Sequence, residues 1–341
     1  MRPVGTGGVE KRGPGNGTPL KMPGDPFGNR KEVFMEQHHE NKMGTAPILK
    51  LVFSMSLPAM FSMLVQALYN IVDSIFVSRL GVNALAAVSL AFPIQTLLIA
   101  VAVGTGVGVN SLISRRLGEK DMDAADKAAT HGLLLGVFSW APFLIFGLFF
   151  CPMYMNAFSK TAEVVSMGTS YLAIVCTLSV GSIVEIMVEK TLQATGNMVY
   201  PMLFQLSGAI TNIILDPIFI FGYFGVPAMG VAGAAIATVI GQFVSLIFSL
   251  IILFTKTHQV KITFKGFRFN GKTIKDIYAV GFPAIIMQAI GSVMNMGMNG
   301  ILATFSDTAV AVLGAYYKLQ SFVFMPVFGL NQGLMPILGY N

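Results

Sequence analysis

Two aspartates stand inside apolar runs: Asp73 in "ALYNIVDSIFVS" and Asp216 in "TNIILDPIFIFG". An ionisable side chain held in hydrocarbon is costly, and it marks an ion path, a proton relay or a ligand site. Asn70 and Asn212 lie one turn before these acids on the same helical faces, and Thr238 sits in the apolar "AAIATVIGQ". Two carboxylates, an amide carbonyl and a hydroxyl are hard oxygen ligands for a small cation such as Na+, or a pair that binds a proton. Pro217 has no N–H, so the Ile213 carbonyl loses its helical partner and becomes a further oxygen ligand. The Asp-Pro pair thus places a helix break that supplies oxygen beside an acid that supplies charge.

These residues need membrane helices to hold them, and the composition provides for that. The 341 residues are 54% hydrophobic and 11% charged, with a mean hydropathy of +0.70. A soluble domain carries about 25% charged residues, so an all-α polytopic membrane protein is expected. Its 36 glycines fit close helix packing. The net charge of +6 is confined to a few loops, which points to membrane topology and not to nucleic-acid binding. Cys151 and Cys176 lack metal-ligand spacing and read as packed thiols.

Apolar segments long enough to cross about 30 Å of hydrocarbon fall at residues 48–78, 84–114, 128–151, 164–189, 201–224, 230–255, 277–305 and 309–338. Residues 1–46 form a polar Gly- and Pro-rich extension expected to be disordered, without the apolar core of a signal peptide. Met35 is an equally sensible start. The sequon at Asn16 and the His38-His39 pair have no supporting context. Loops on one side carry eleven Lys and Arg, counting Lys190, against Arg79 and Lys160 on the other. The positive-inside rule then makes the N-terminus cytoplasmic in a multi-pass protein of the cell membrane. From a rise of 1.5 Å per residue, Asp73 lies roughly 9 Å, Asp216 about 13 Å and Thr238 roughly 12 Å below the outer surface. Three helices therefore bring polar groups to one depth.

A shift of 225 residues aligns Pro58 with Pro283, Asn70 with Asn295, Gln95 with Gln320, Gly104 with Gly329 and Gly108 with Gly333. Repeated six-helix halves are a transporter architecture. The expected organisation is a complete six-helix N-lobe over residues 47–256, a basic cytoplasmic loop over 257–276, and the first two helices of a second, pseudo-symmetric lobe over 277–341. The final "NQGLMPILGYN" has no polar stop. The chain therefore reads as truncated after its eighth helix, with about four helices to follow.

Gln66, Asn70, Gln95, Gln288, Asn295, Asn299 and Lys318 are candidates to line a cavity, against the plainer reading of polar helix contacts or, for Lys318, snorkelling. Glu185 and Glu189 read as inner-end acids that snorkel or pair with Lys190, and His131 as interfacial. "GFRFNGKT" at 266–273 matches a P-loop letter for letter, but its loop has no surrounding βαβ unit, so no ATP is expected. That basic loop reads as an anchor on anionic lipid. "GTGVGVN" at 104–110 imitates a dinucleotide motif but falls within a span, where close helix packing explains it.

"LPAMFSMLVQALYNIVDSIFVSRLG", "LQATGNMVYP", "TNIILDPIFIFG" and "GVAGAAIATVIGQ" resemble the multidrug and toxic compound extrusion (MATE) family, closest to its DinF-like branch, from about Lys50 to Asn341. The resemblance implies twelve helices in two lobes arranged in a V. It implies export of cationic or amphipathic drugs in exchange for Na+ or H+, without a cofactor or enzymatic activity. By motif match, Asp73, Asn212, Asp216 and Thr238 fall on the family's first-lobe cation or proton site. Pro58 falls on its helix-bending proline, and Pro217 is the second expected bend. The seventh span offers Asn295 and Asn299 but no carboxylate, which favours coupling in the first lobe. The alternatives are a related flippase for lipid-linked sugars and a non-transporting membrane fragment.

Overall fold

The computed structural model describes residues 41–264, 267–303 and 307–341. Of the last two helices, the side chains of 292, 295, 296, 299, 300, 302, 303, 307–315, 317–319, 321 and 322 are not described. The expected N-terminal extension lies outside the described residues apart from a short turn at Lys42–Thr45, capped by the Asn41 side chain.

The protein is all-helical in its spans. They are α1 (Ile48–Ser78), α2 (Val82–Gly118), α3 (Met122–Ile145), α4 (Ala162–Leu178 and Val180–Ala194), α5 (Val199–Phe221), α6 (Gly230–Thr255), α7 (Gly271–Ala303) and α8 (Asp307–Tyr340). Among the described residues, six of these helices and the bent pair of α4 are long and apolar enough to cross a membrane. The bounds of α1 and α6 coincide with their apolar runs. α2, α4 and α8 extend past both ends of theirs by up to five residues, because backbone hydrogen bonding continues after hydrophobicity stops, whereas α5 starts two residues before its run and ends three residues short of it.

α3 runs on through a π-helical turn, Phe146–Phe150, into Cys151–Phe158. There a side chain on Gly147 would meet Thr177 Oγ1 at 2.7 Å, so the wide turn lies at a close approach of α3 and α4. α4 bends by 44° around Ser179. α1 continues unbroken through Pro58 and α5 through Pro217.

The 225-residue shift has a counterpart in the packing. A Cβ on Gly104 of α2 would strike Ile285 of α7, and one on Gly329 of α8 would lie 2.5 Å from Met60 of α1. Likewise Gly108 meets Ile277 and Gly281 of α7, while Gly333 meets Ser56 of α1. Met60 and Ile285, like Ser56 and Gly281, are themselves related by the shift, so α2·α7 and α1·α8 are two copies of one small-residue interface. The motif-like glycines at 104 and 108 are therefore packing residues.

α5 and α6 form a tight antiparallel pair. Gly222 adopts φ 81° and ends α5, and the Met229 amide returns to the Phe219 carbonyl at 2.9 Å. Lower down, Gly208 and Gly241 cross with each added Cβ within 3.2 Å of the other's carbonyl oxygen. This crossing sits three residues beyond Thr238 and four before Asn212, and it holds those two side chains in register.

Three expectations are corrected here. Lys190 is not a loop residue but lies inside α4 and is 3% exposed, which leaves ten basic residues in the loops and helix ends of that side against two. His131 is not interfacial but 1% exposed. Residues 256–264 and 267–270 fold back over it: the amides of Lys261, Thr263 and Asn270 donate to Asp126, Thr130 and His131 Nε2 at 2.7, 3.3 and 2.9 Å. α7 starts at Gly271, earlier than its apolar run, and so carries one acid, Asp276, which faces Arg115 and Arg116 at 4.0 and 3.9 Å. At its first turn the Lys272 amide is capped by Asn270 Oδ1 at 2.9 Å, an arrangement with no resemblance to a phosphate cradle.

Candidate functional site

Asn212, Asp216 and Thr238 meet in the interior at 2%, 0% and 8% exposure. The Asn212 amide donates one hydrogen to Asp216 Oδ1 and the other to Thr238 Oγ1, both at 3.2 Å. Flipping the amide would set its oxygen against a carboxylate, so the network fixes its orientation. That uses both amide hydrogens. Asp216 Oδ2 and Asn212 Oδ1 remain buried without a hydrogen-bond partner.

Asp73, half-buried on α1, stands close enough that its charge acts on Asp216. Tyr69, one turn before Asp73, is near enough to feel both acids and has its hydroxyl against Thr238. Tyr171 of α4 is also buried, feels both acids, and accepts a hydrogen bond from Gln95 Nε2 of α2 at 3.0 Å. Five helices thus converge on two carboxylates with no Lys, Arg or His paired to either among the described residues. Buried oxygens without donors are the chemistry expected around a bound proton or hard cation.

Of the other expected lining residues, Gln95 joins this cluster and Gln66 is half-buried on α1. Asn70 and Gln288 are exposed, so Asn70 does not share the buried pocket of Asp73. The side chains of Asn295, Asn299 and Lys318 lie outside the described residues. Tyr69 and Tyr171 were not anticipated. Tyr69 had a readable signal, its position four residues before Asp73 on one helical face, whereas nothing in "TSYLAIVC" distinguishes Tyr171 from a packing residue.

A second polar cluster is buried in the second part of α4. Lys190 Nζ donates to Glu189 Oε1 at 3.1 Å, Gln193 Oε1 at 2.9 Å and Gln332 Oε1 of α8 at 3.2 Å. Glu189 also accepts from Gln193 at 2.7 Å and from Gln205 of α5 at 2.8 Å. The expected Glu189–Lys190 pair forms, but in the interior and not by snorkelling.

Comparison with known proteins agrees with this architecture. A family model described as MatE matches residues 58–218. A solved structure of MATE in complex with MaD3S is 30% identical, superposes with a TM-score of 0.83, and covers 89% of this chain and 68% of that one. The chain belongs to the MATE family. A second solved relative, a MOP superfamily transporter from Pyrococcus furiosus, is also 30% identical, with a TM-score of 0.83 over 89% of this MATE chain and 66% of that protein. The multidrug export protein MepA of Staphylococcus aureus (strain MRSA252) is 26% identical over 297 residues, which are 87% of this chain and 65% of MepA. The chain thus spans about two thirds of the length of the curated relatives it matches. These relatives are transporters, not enzymes.

Proposed function

We propose that this MATE protein works in secondary active efflux of small cationic or amphipathic drugs, driven by entry of Na+ or H+ at Asp73, Asn212, Asp216 and Thr238. The observation that carries the reading is the buried Asp216, near the half-buried Asp73, with its Oδ2 and the Oδ1 of Asn212 left without a donor. A proton or a sodium ion supplies the missing positive charge. The export activity of MepA supports the substrate class. The lack of a carboxylate beyond Asp276 in α7 supports first-lobe coupling and placement in the DinF-like branch.

Coupling requires that the ion bind two conformations with different affinity. Here the ion would sit between α1, which carries Asp73 and Tyr69, and the α5–α6 pair. Further along α1, Ser56 and Met60 pack on Gly333 and Gly329 of α8. Pro58 lies between those two contacts, where it leaves a carbonyl without its helical partner and so eases bending. Binding at one end of α1 is thereby converted into a choice of packing at the other. Pro217 acts in the same sense on α5, through the freed Ile213 carbonyl beside Asp216. The ten-to-two distribution of Lys and Arg over the loops and helix ends supports insertion in the cell membrane with a cytoplasmic N-terminus.

Reconstitution in vesicles tests the reading. A sodium or pH gradient, imposed separately, drives efflux of a cationic dye, and Asp216→Asn abolishes the gradient dependence without preventing insertion. Gradient-driven efflux undiminished in Asp216→Asn refutes it.

A further inference from the structure

We propose that Glu185 is a second acid, separate from the Asp73–Asp216 site, that carries an exchangeable proton, and that Gln332 of α8 controls its release through Lys190. Glu185 is 8% exposed, and its Oε1 has no hydrogen-bond partner. Ser245 is a polar neighbour on α6. Its hydroxyl hydrogen is spent on the Phe204 carbonyl at 2.9 Å, so towards Glu185 it offers lone pairs. Gln205 of α5 donates to Glu189 at 2.8 Å and is left with an unpartnered Oε1, as is Gln242 of α6. Three buried side-chain oxygens on α4, α5 and α6 therefore lack a donor, and a hydrogen on the Glu185 carboxyl is one that a neighbouring acceptor such as Ser245 can take.

The surrounding charges favour the same state. Glu189 and Lys190, both on α4, are the charged groups that act on Glu185. Glu189 opposes a second negative charge. Lys190 offsets it only in part, and the three hydrogens of its ammonium are directed at Glu189, Gln193 and Gln332 and not at Glu185. α5 and α6 contribute only the uncharged Gln205, Gln242 and Ser245. From α2, Asn110 is bonded to the Lys190 carbonyl at 3.1 Å. From α3, His131 is engaged at both ring nitrogens by Lys127 and Asn270.

Among the described residues, Gln332 is the one partner of the Lys190 ammonium that lies on a different helix. When α8 withdraws, one ammonium hydrogen is freed and turns to Glu185. The carboxylic acid then gives its proton to water and remains as a carboxylate paired with Lys190. This step rests on the proposed transport cycle only for the movement of α8; the protonation of Glu185 does not depend on it.

Infrared difference spectroscopy of the full chain in lipid bilayers tests the assignment. In an Asp73→Asn/Asp216→Asn background, which lacks the proposed coupling acids, a protonated-carboxyl C=O band is expected to persist at neutral pH, to vanish in Glu185→Gln, and to shift in frequency in Ser245→Ala. In Gln332→Ala it is expected to disappear about one pH unit lower, a tenfold fall in proton affinity. Absence of the band from the background, its survival in Glu185→Gln, an unmoved band in Ser245→Ala or an unmoved midpoint in Gln332→Ala would overturn the proposal, as would loss of the band on adding Na+ at constant pH. These readings are independent of drug efflux, so they separate this proposal from the coupling mechanism.

Discussion

Glu189 on α4 and Asp216 on α5 are both carboxylates withdrawn from solvent, at 3% and 0% exposure, yet their surroundings differ sharply. Glu189 receives three donors, one of them the Lys190 ammonium at 3.1 Å. Asp216 receives a single amide hydrogen at 3.2 Å, keeps Oδ2 bare, and has a second acid close by. One acid has a resident cation supplied by the fold, and the other lacks one. A buried charge with a fixed, hydrogen-bonded partner specifies structure, whereas a buried charge without one is poised to take a mobile partner from solution.

Removing charge should therefore have opposite effects at the two places. Lys190→Met leaves Glu189 buried without its partner and is expected to destabilise the protein by about 3–5 kcal/mol, read as a fall in thermal midpoint in detergent. Asp216→Asn removes a charge that has no partner, so the midpoint without added cation is expected to hold or rise. If both variants lost equal stability, the contrast would fail.

Smaller changes sharpen it. Asn212→Leu removes both hydrogen bonds that orient Asp216 and Thr238 and is expected to cost about 1–3 kcal/mol, together with weaker ion dependence. Tyr69→Phe deletes one hydroxyl beside Thr238 while keeping the ring. It is expected to cost about 0.5–1.5 kcal/mol and to reduce the linkage between ion binding and α1, read as a modest loss of ion-driven dye efflux. A Tyr69→Phe effect larger than that of Asn212→Leu would move the centre of the site from α5 to α1.

Much of this was legible in the residues. The runs 48–78 and 230–255 gave α1 and α6 their observed bounds, and counting depth along α5 and α6 brought Asp216 to Thr238. Sequence reading failed where a residue's chemistry conflicts with its location. Lys190 was assigned to a loop because hydropathy treats an ammonium as solvent-seeking, and only the three-dimensional meeting of Glu189, Gln193 and Gln332 makes its burial tolerable. Tyr171 was overlooked because its partner, Gln95, is 76 residues away. The sequence puts His131 at the interface because nothing in residues 256–264 or 267–270 signals that they fold over it.

Cation binding by the purified chain offers the sharpest comparison between wild type and Asp216→Asn. Paired pH-electrode and sodium-binding measurements should find one more proton or sodium ion per chain in the wild type, and the difference should disappear when Asp73 is also replaced by Asn in both proteins. Equal binding by wild type and Asp216→Asn would show that the bare carboxylate oxygen is not a cation site, and the coupling account would fall with it.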